Sequence, residues 1–185
     1  RHSSSAASDV YKRQLFNCYL IRFFISFNCY SSNNFYRFIF MKKLLLLSII
    51  LINTTIQSAD HIVKMLNQGA EGYMVFEPSV LNIDVGDSVT FQSTDPAHNS
   101  ASMVGMIPEG ATPWNSDLSK DITVTFNIKG VYGYQCTPHS MMAMVGVINV
   151  GGDYSNLDQV KTAAAAKKAS FVMNQDRLDN YINQL

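Results

Sequence analysis

The sequence predicts a mainly β domain: an antiparallel β-sandwich with two C-terminal α-helices packed on it. Three observations carry the prediction. Between His61 and Val150, short runs of alternating apolar residues are separated by Gly, Asp and Pro turns, as in sandwiches of short strands. After Gly151-Gly152 the apolar period lengthens, with Leu157, Val160 and Ala164, then Leu178, Tyr181, Ile182 and Leu185, which is helical spacing. A sharp change of charge marks where the domain begins.

Residues 1–40 contain no methionine and are rich in Phe, Asn, Ser, Tyr and Ile without a period. They read as translation of DNA upstream of the natural start and are set apart from the fold. Arg22 and Arg37, with many Asn and Ser residues, interrupt the only apolar part, which is costly in a lipid core. Met41 is the expected start. Lys42-Lys43, the apolar run Leu44 to Ile52 and the small residues Ser58-Ala59 together form a secretory signal over 41–59. Its apolar run falls short of the roughly 20 residues that span a bilayer. Cleavage is expected after Ala59, with Ser58 as the alternative, so the protein is expected in the periplasm.

The first 59 residues carry seven Lys/Arg and one Asp, +6, and the remaining 126 carry seven Lys/Arg and thirteen Asp/Glu, −6. An acidic exported domain argues against binding nucleic acid or an anionic membrane. One domain with one core is expected, as a sandwich over 60–150 and a helical extension of the same domain over 151–185. Cys18 and Cys29 fall upstream, leaving Cys136 alone in the domain. A single thiol there forms no internal disulfide.

The strands are read in order as 61–66, 72–76, 80–83, 88–92, 121–126, 131–135 and 145–150. Pro108, Gly110 and Pro113 mark 97–119 as a long loop. Helices are predicted over 156–167 and 174–184, the first with Ser155 and Asp158 as a capping box.

The stretch Cys136-Thr137-Pro138-His139-Ser140-Met141-Met142-Ala143-Met144 concentrates the chemistry. It holds a thiol, an imidazole and three thioethers, and His98 stands 38 positions before the cysteine (136 − 98). Two His, one Cys and a weakly bound Met form the ligand set of a blue-copper electron-transfer site. A thiolate donates strongly to Cu(II), imidazoles suit both oxidation states, and a distant thioether tunes the potential. His98, Cys136 and His139 are the strong candidates, with the axial methionine open. Asn99, beside His98, is placed to donate its N–H to the Cys136 sulfur and to tie the two ligand loops. Pro138 has no N–H to give that sulfur. Two other readings stand: a copper-binding or delivery protein, and a thiol enzyme with Cys136 as nucleophile and His139 as base. The enzyme reading leaves His98 and the methionines without a role. Zinc is disfavoured because thioethers ligate it poorly.

Several segments resemble the pseudoazurins, a cupredoxin family: Asp60-His61-Ile62-Val63-Lys64-Met65-Leu66-Asn67, Met74-Val75-Phe76-Glu77-Pro78, His98-Asn99, the ligand stretch, and Met144-Val145-Gly146-Val147. The resemblance implies a Greek-key cupredoxin sandwich with two terminal helices and one type 1 copper ion. It implies Met144 as axial ligand, five residues after His139 and two before Gly146, whereas Met142 has the amicyanin spacing. It places Met74 near the metal. It implies a non-enzymatic, monomeric periplasmic carrier of denitrification, with a cytochrome-type donor and a nitrite reductase or nitrous oxide reductase as acceptor. The electron is expected to pass through the edge of His139 within an apolar patch of Pro138, Met141 and Met142. Two departures stand out. Lysines are common around that patch in the family, one of them directly before the Cys, but Gln135 stands there and the nearby loop positions are Pro96, Asn115 and Asp117; Ser140 stands where an aromatic is usual.

Overall fold

A computed structural model describes residues 58–185. The stretch 1–40 and all of the expected leader except Ser58 and Ala59 lie outside the described residues. The strands are β1 (Asp60–Gly69), β2 (Gly72–Glu77), β3 (Val80–Ile83), β4 (Ser88–Gln92), β5 (Ala101–Ser102), β6 (Ile122–Thr125), β7 (Gly130–Gln135) and β8 (Val145–Val150). Two helices follow, α1 (Leu157–Lys168) and α2 (Arg177–Ile182).

The strands form two four-stranded sheets, ordered β2-β1-β4-β6 and β3-β8-β7-β5. The expected purely antiparallel pairing is corrected here, because β1 pairs β4 and β3 pairs β8 in parallel. Alternation along a strand reports which face is buried, not the direction of its neighbour. The chain changes sheet between β2 and β3 and again between β3 and β4, so β4 reaches β1, and β8 reaches β3, without a hairpin that would force an antiparallel pair.

Two apolar layers result. Val63, Met65, Phe76, Phe91, Phe126, Tyr134 and Ile148 fill the space between the sheets, together with Cys136 and Met144. Val131, Val145 and Val147 point to the other side of the second sheet and meet Val160, Ala164, Leu178 and Ile182 of the helices. Covered on both faces, β8 is buried at every position. The aromatic ring of Tyr134 lies where a side chain on Gly146 would stand, so the glycine permits the close approach of β7 and β8 next to the ligand stretch.

The long 97–119 connection is more ordered than expected. It contains β5, a bridge from Ala101 to Asn115, and Trp114, whose Nε1–H donates to Ser100 Oγ at 3.0 Å and whose ring stacks on Phe91. The capping box does not form. Ser155 bonds Asp153 instead, through its N–H at 2.9 Å and its hydroxyl at 3.1 Å. Asn156 completes the unpaired edge of β7, accepting from Val131 N–H and donating to Val131 O, both at 2.8 Å.

Asp87 anchors the start of the domain. It accepts from the backbone N–H groups of Ala59 at 2.7 Å and Asp84 at 3.1 Å, and from His61 Nε2 at 3.0 Å. The Ala59 N–H, and next the His61 bond, hold its carboxyl below the usual carboxylate range against the effect of burial. A folded-state pKa lowered in this way contributes stability above the unfolded pKa of about 4 and loses it as pH falls through the folded value. Asp87→Asn is therefore expected to cost about 1.5–3 kcal/mol at neutral pH, the worth of a hydrogen bond to a charged group. The deficit shrinks below about pH 4. Urea midpoints at pH 7 and pH 3 check it, and an equal deficit at both would contradict the charge argument.

Candidate metal centre

The ligand stretch begins where β7 delivers Cys136 into the core and ends where Met144 enters β8. Cys136 N–H donates to Met144 O at 2.9 Å, which continues the β7–β8 ladder by one bond and closes the loop at its base. Within the loop, His139 O accepts from Met142 N–H at 3.0 Å and Met144 N–H at 3.3 Å. This forms a single 3₁₀ turn over Ser140–Met142. Ala143, left-handed at φ 55°, reverses the chain out of that turn.

His98 comes from the other connection. Its carbonyl accepts from Ser119 N–H at 2.8 Å, while Ser119 Oγ accepts from Ala97 N–H at 2.8 Å. The imidazole is completely buried. Its Nε2 lies 3.0 Å from Asn67 Oδ1, an acceptor that puts the ring proton on Nε2 and leaves the Nδ1 lone pair free. That Nδ1 lies 3.0 Å from His139 Nδ1 and 3.7 Å from Cys136 Sγ, and His139 Nδ1 lies 3.4 Å from the same sulfur. His98, Cys136 and His139 thus present three donor atoms within 4.8 Å of one another.

Electrostatics suit such a set. Burial, and next the charge of His139, lower the His98 pKa, against a smaller opposing effect of Asp95. Burial raises the Cys136 thiol pKa, opposed by the backbone N–H groups of Asn99 and His139. A neutral imidazole and a protonated thiol therefore await a cation, whose binding releases the thiol proton.

Asn99 joins the two loops through its side chain. Its Oδ1 accepts from Thr137 N–H at 2.7 Å, and its Nδ2 faces Asn115 Oδ1 at 3.0 Å, Ser116 O at 3.2 Å and Thr137 Oγ1 at 3.2 Å. Pro138 is exposed and has no N–H to give the sulfur. Met144 is fully buried in the same cluster as Cys136, whereas Met142 is half-buried and Met141 is 57% exposed. Met74 is half-buried against that cluster, at φ 51°. Asn67 escaped the sequence reading, because an Asn near a strand end reads as a turn residue. Only its position in the motif-bearing first strand offered a signal.

The sequence pattern of copper binding proteins of the plastocyanin/azurin family matches residues 63–151. Pseudoazurin of Paracoccus pantotrophus is 40% identical over 128 residues, covering 69% of this chain and 85% of that protein. The chain belongs to the pseudoazurin family. Two solved pseudoazurins superpose on it. That of Methylobacterium extorquens AM1 gives a TM-score of 0.60 at 38% identity, and that of Hyphomicrobium denitrificans 0.61 at 35%. Each alignment covers 68% of this chain and 98% of the solved one. The mainly β fold with two C-terminal helices is the cupredoxin fold that these relatives share.

Pseudoazurins are blue copper electron carriers and not enzymes, which removes the thiol-enzyme reading. The family binds copper, and the donor set fits it. One thiol and two imidazole nitrogens converge here, the combination that suits copper in both oxidation states. Copper so bound supplies one-electron redox chemistry. The protein provides soft and borderline donors, two of them buried, with Asn67 bonded to the His98 ring and Asn99 joining the His98 and Cys136 segments.

Proposed function

We propose that this pseudoazurin holds its copper through His98, Cys136, His139 and Met144, and passes single electrons through the edge of His139. One observation carries the reading: His98 and Cys136 are buried, and His139 alone of the converging triad is partly exposed. Asn99, Pro138 and Met74 tune the site from outside the ligand set. Burial and the backbone bond to Cys136 favour Met144 over Met142 as axial ligand.

Exposed Pro138 and Met141, with half-buried Met142, lie within three residues of His139 in the same loop, and they form the docking patch for a redox protein. The acceptor is a nitrite reductase or nitrous oxide reductase, the donor a cytochrome, and the protein a monomer that meets them transiently. Gln135 precedes Cys136, and the exposed loop positions Pro96, Asn115 and Asp117 carry no positive charge, so apolar contact outweighs steering by charge. Met142→Glu is expected to slow electron transfer to a nitrite reductase about tenfold, the equivalent of about 1.4 kcal/mol. The copper spectrum stays unchanged. Stopped-flow mixing of the reduced protein with the enzyme measures it, and wild-type kinetics would contradict the patch.

The protein acts in the periplasm after loss of its leader. Cleavage follows Ala59, with Ser58 as the alternative. An intact mass beginning at Asp60 supports this, and one beginning at Ala59 would select the alternative.

A further inference from the structure

Helix α2 sends Arg177 back to the ligand loop. Its Nη1 donates to the carbonyls of Met74 at 3.0 Å, Ala143 at 3.1 Å and Tyr73 at 3.3 Å, and its Nη2 to that of Glu71 at 3.4 Å. None of the ion pairs among the described residues involves this guanidinium. Its donors are directed at main chain, in a fork whose rigidity can hold several carbonyls at once.

Two of these carbonyls belong to unusual residues. Met74 and Ala143 are non-glycine residues at φ 51° and 55°, a left-handed conformation that costs an L-residue about 1–3 kcal/mol and persists where surroundings over-determine it. One nitrogen of Arg177 binds both. Ala143 directly precedes Met144, whose backbone in turn bonds Cys136 and His139. Met74 packs on the cluster that contains Cys136 and Met144. The guanidinium thus holds the carbonyl of Met74 itself and that of the residue directly before Met144.

We propose that Arg177 is a positioning residue for the metal centre, setting the approach of the Met144 thioether through the backbone of Ala143 and Met74. The proposal rests on Met144 being the axial ligand. A weak, long axial bond is the one most sensitive to small backbone shifts, and it tunes the potential.

The test compares the copper-loaded wild type with Arg177→Gln, Arg177→Lys and Leu178→Ala. Leu178→Ala loosens the buried packing of α2 without touching the guanidinium. Visible and EPR spectra, reduction potential, copper release to a chelator and thermal unfolding are measured on each. Arg177→Gln is expected to alter the charge-transfer spectrum, shift the potential and release copper about tenfold faster, the lower end of outer-partner effects. Arg177→Lys shifts the same readouts less, and keeps the test open should the Gln variant fail to fold. Leu178→Ala lowers the unfolding temperature but keeps the wild-type spectrum and potential. Folded Arg177 variants with wild-type spectrum, potential and release rate would overturn the proposal. So would a Leu178→Ala protein that reproduces their changes. Met144→Leu is measured alongside, and a spectrum that changes in the Arg177 variants but not in Met144→Leu would overturn the axial assignment, and this proposal with it. A wild type without a blue band would do the same.

Discussion

Cys136→Ser is expected to abolish the intense visible band and to weaken copper binding more than a hundredfold. The bound is set by outer partners, whose loss alone costs about 10- to 100-fold in metal affinity; a strong ligand contributes more. Cys136 Sγ lies 3.4 Å from His139 Nδ1 and 3.7 Å from His98 Nδ1, and Cys136 and His98 are completely buried. A hydroxyl there is a poorer donor to copper than thiolate and does not give up its proton near neutral pH. Fold should survive, because serine is smaller than cysteine and the β7–β8 ladder runs through the backbone. Titration against a chelator, with circular dichroism as a control for folding, measures both. A folded serine variant that kept the band would remove Cys136 from the ligand set.

The next largest effect is expected at Asn99. Asn99→Ala removes the side chain that links the His98 connection to the Cys136 loop. It leaves Thr137 N–H, bonded at 2.7 Å, without its acceptor. The bond is only partly buried, so its loss costs about 1 kcal/mol, and copper affinity is expected to fall by about 10- to 100-fold, since both loops lose their common tie. Urea denaturation of the metal-free protein isolates the first effect, and chelator competition the second. Loss of stability without loss of affinity would assign Asn99 to the fold alone.

Much of this arrangement was legible in the chain. Cys136 and His139 lie three residues apart, so one tight loop brings them together wherever it sits in the fold. His98 was legible as a candidate because it opens a Pro- and Gly-rich connection between strands, and in a sandwich such connections gather at the ends. The change of apolar period after Gly152 marked the helices, since a helix must cover the second sheet with residues three and four apart. What escaped depended on contacts distant in sequence. Asn67 acts on His98 across 31 residues, and Arg177 on Ala143 across 34. Neither has a local pattern. The parallel pairings of β1 with β4 and β3 with β8 escaped for the same reason. β5 has only two residues, too few to show a period. Ser155 and Asp158 carried the spacing of a cap, but Asp153 offered Ser155 a nearer acceptor.

The most direct measurement is the visible absorption spectrum of the purified domain on addition of Cu(II), with the Cys136 thiol kept reduced beforehand. The account predicts one intense blue thiolate-to-copper band at one copper per chain, bleached by ascorbate and restored by an oxidant through repeated cycles. A folded protein with its thiol free and no such band would contradict the assignment of His98, Cys136 and His139 as a redox-active copper centre.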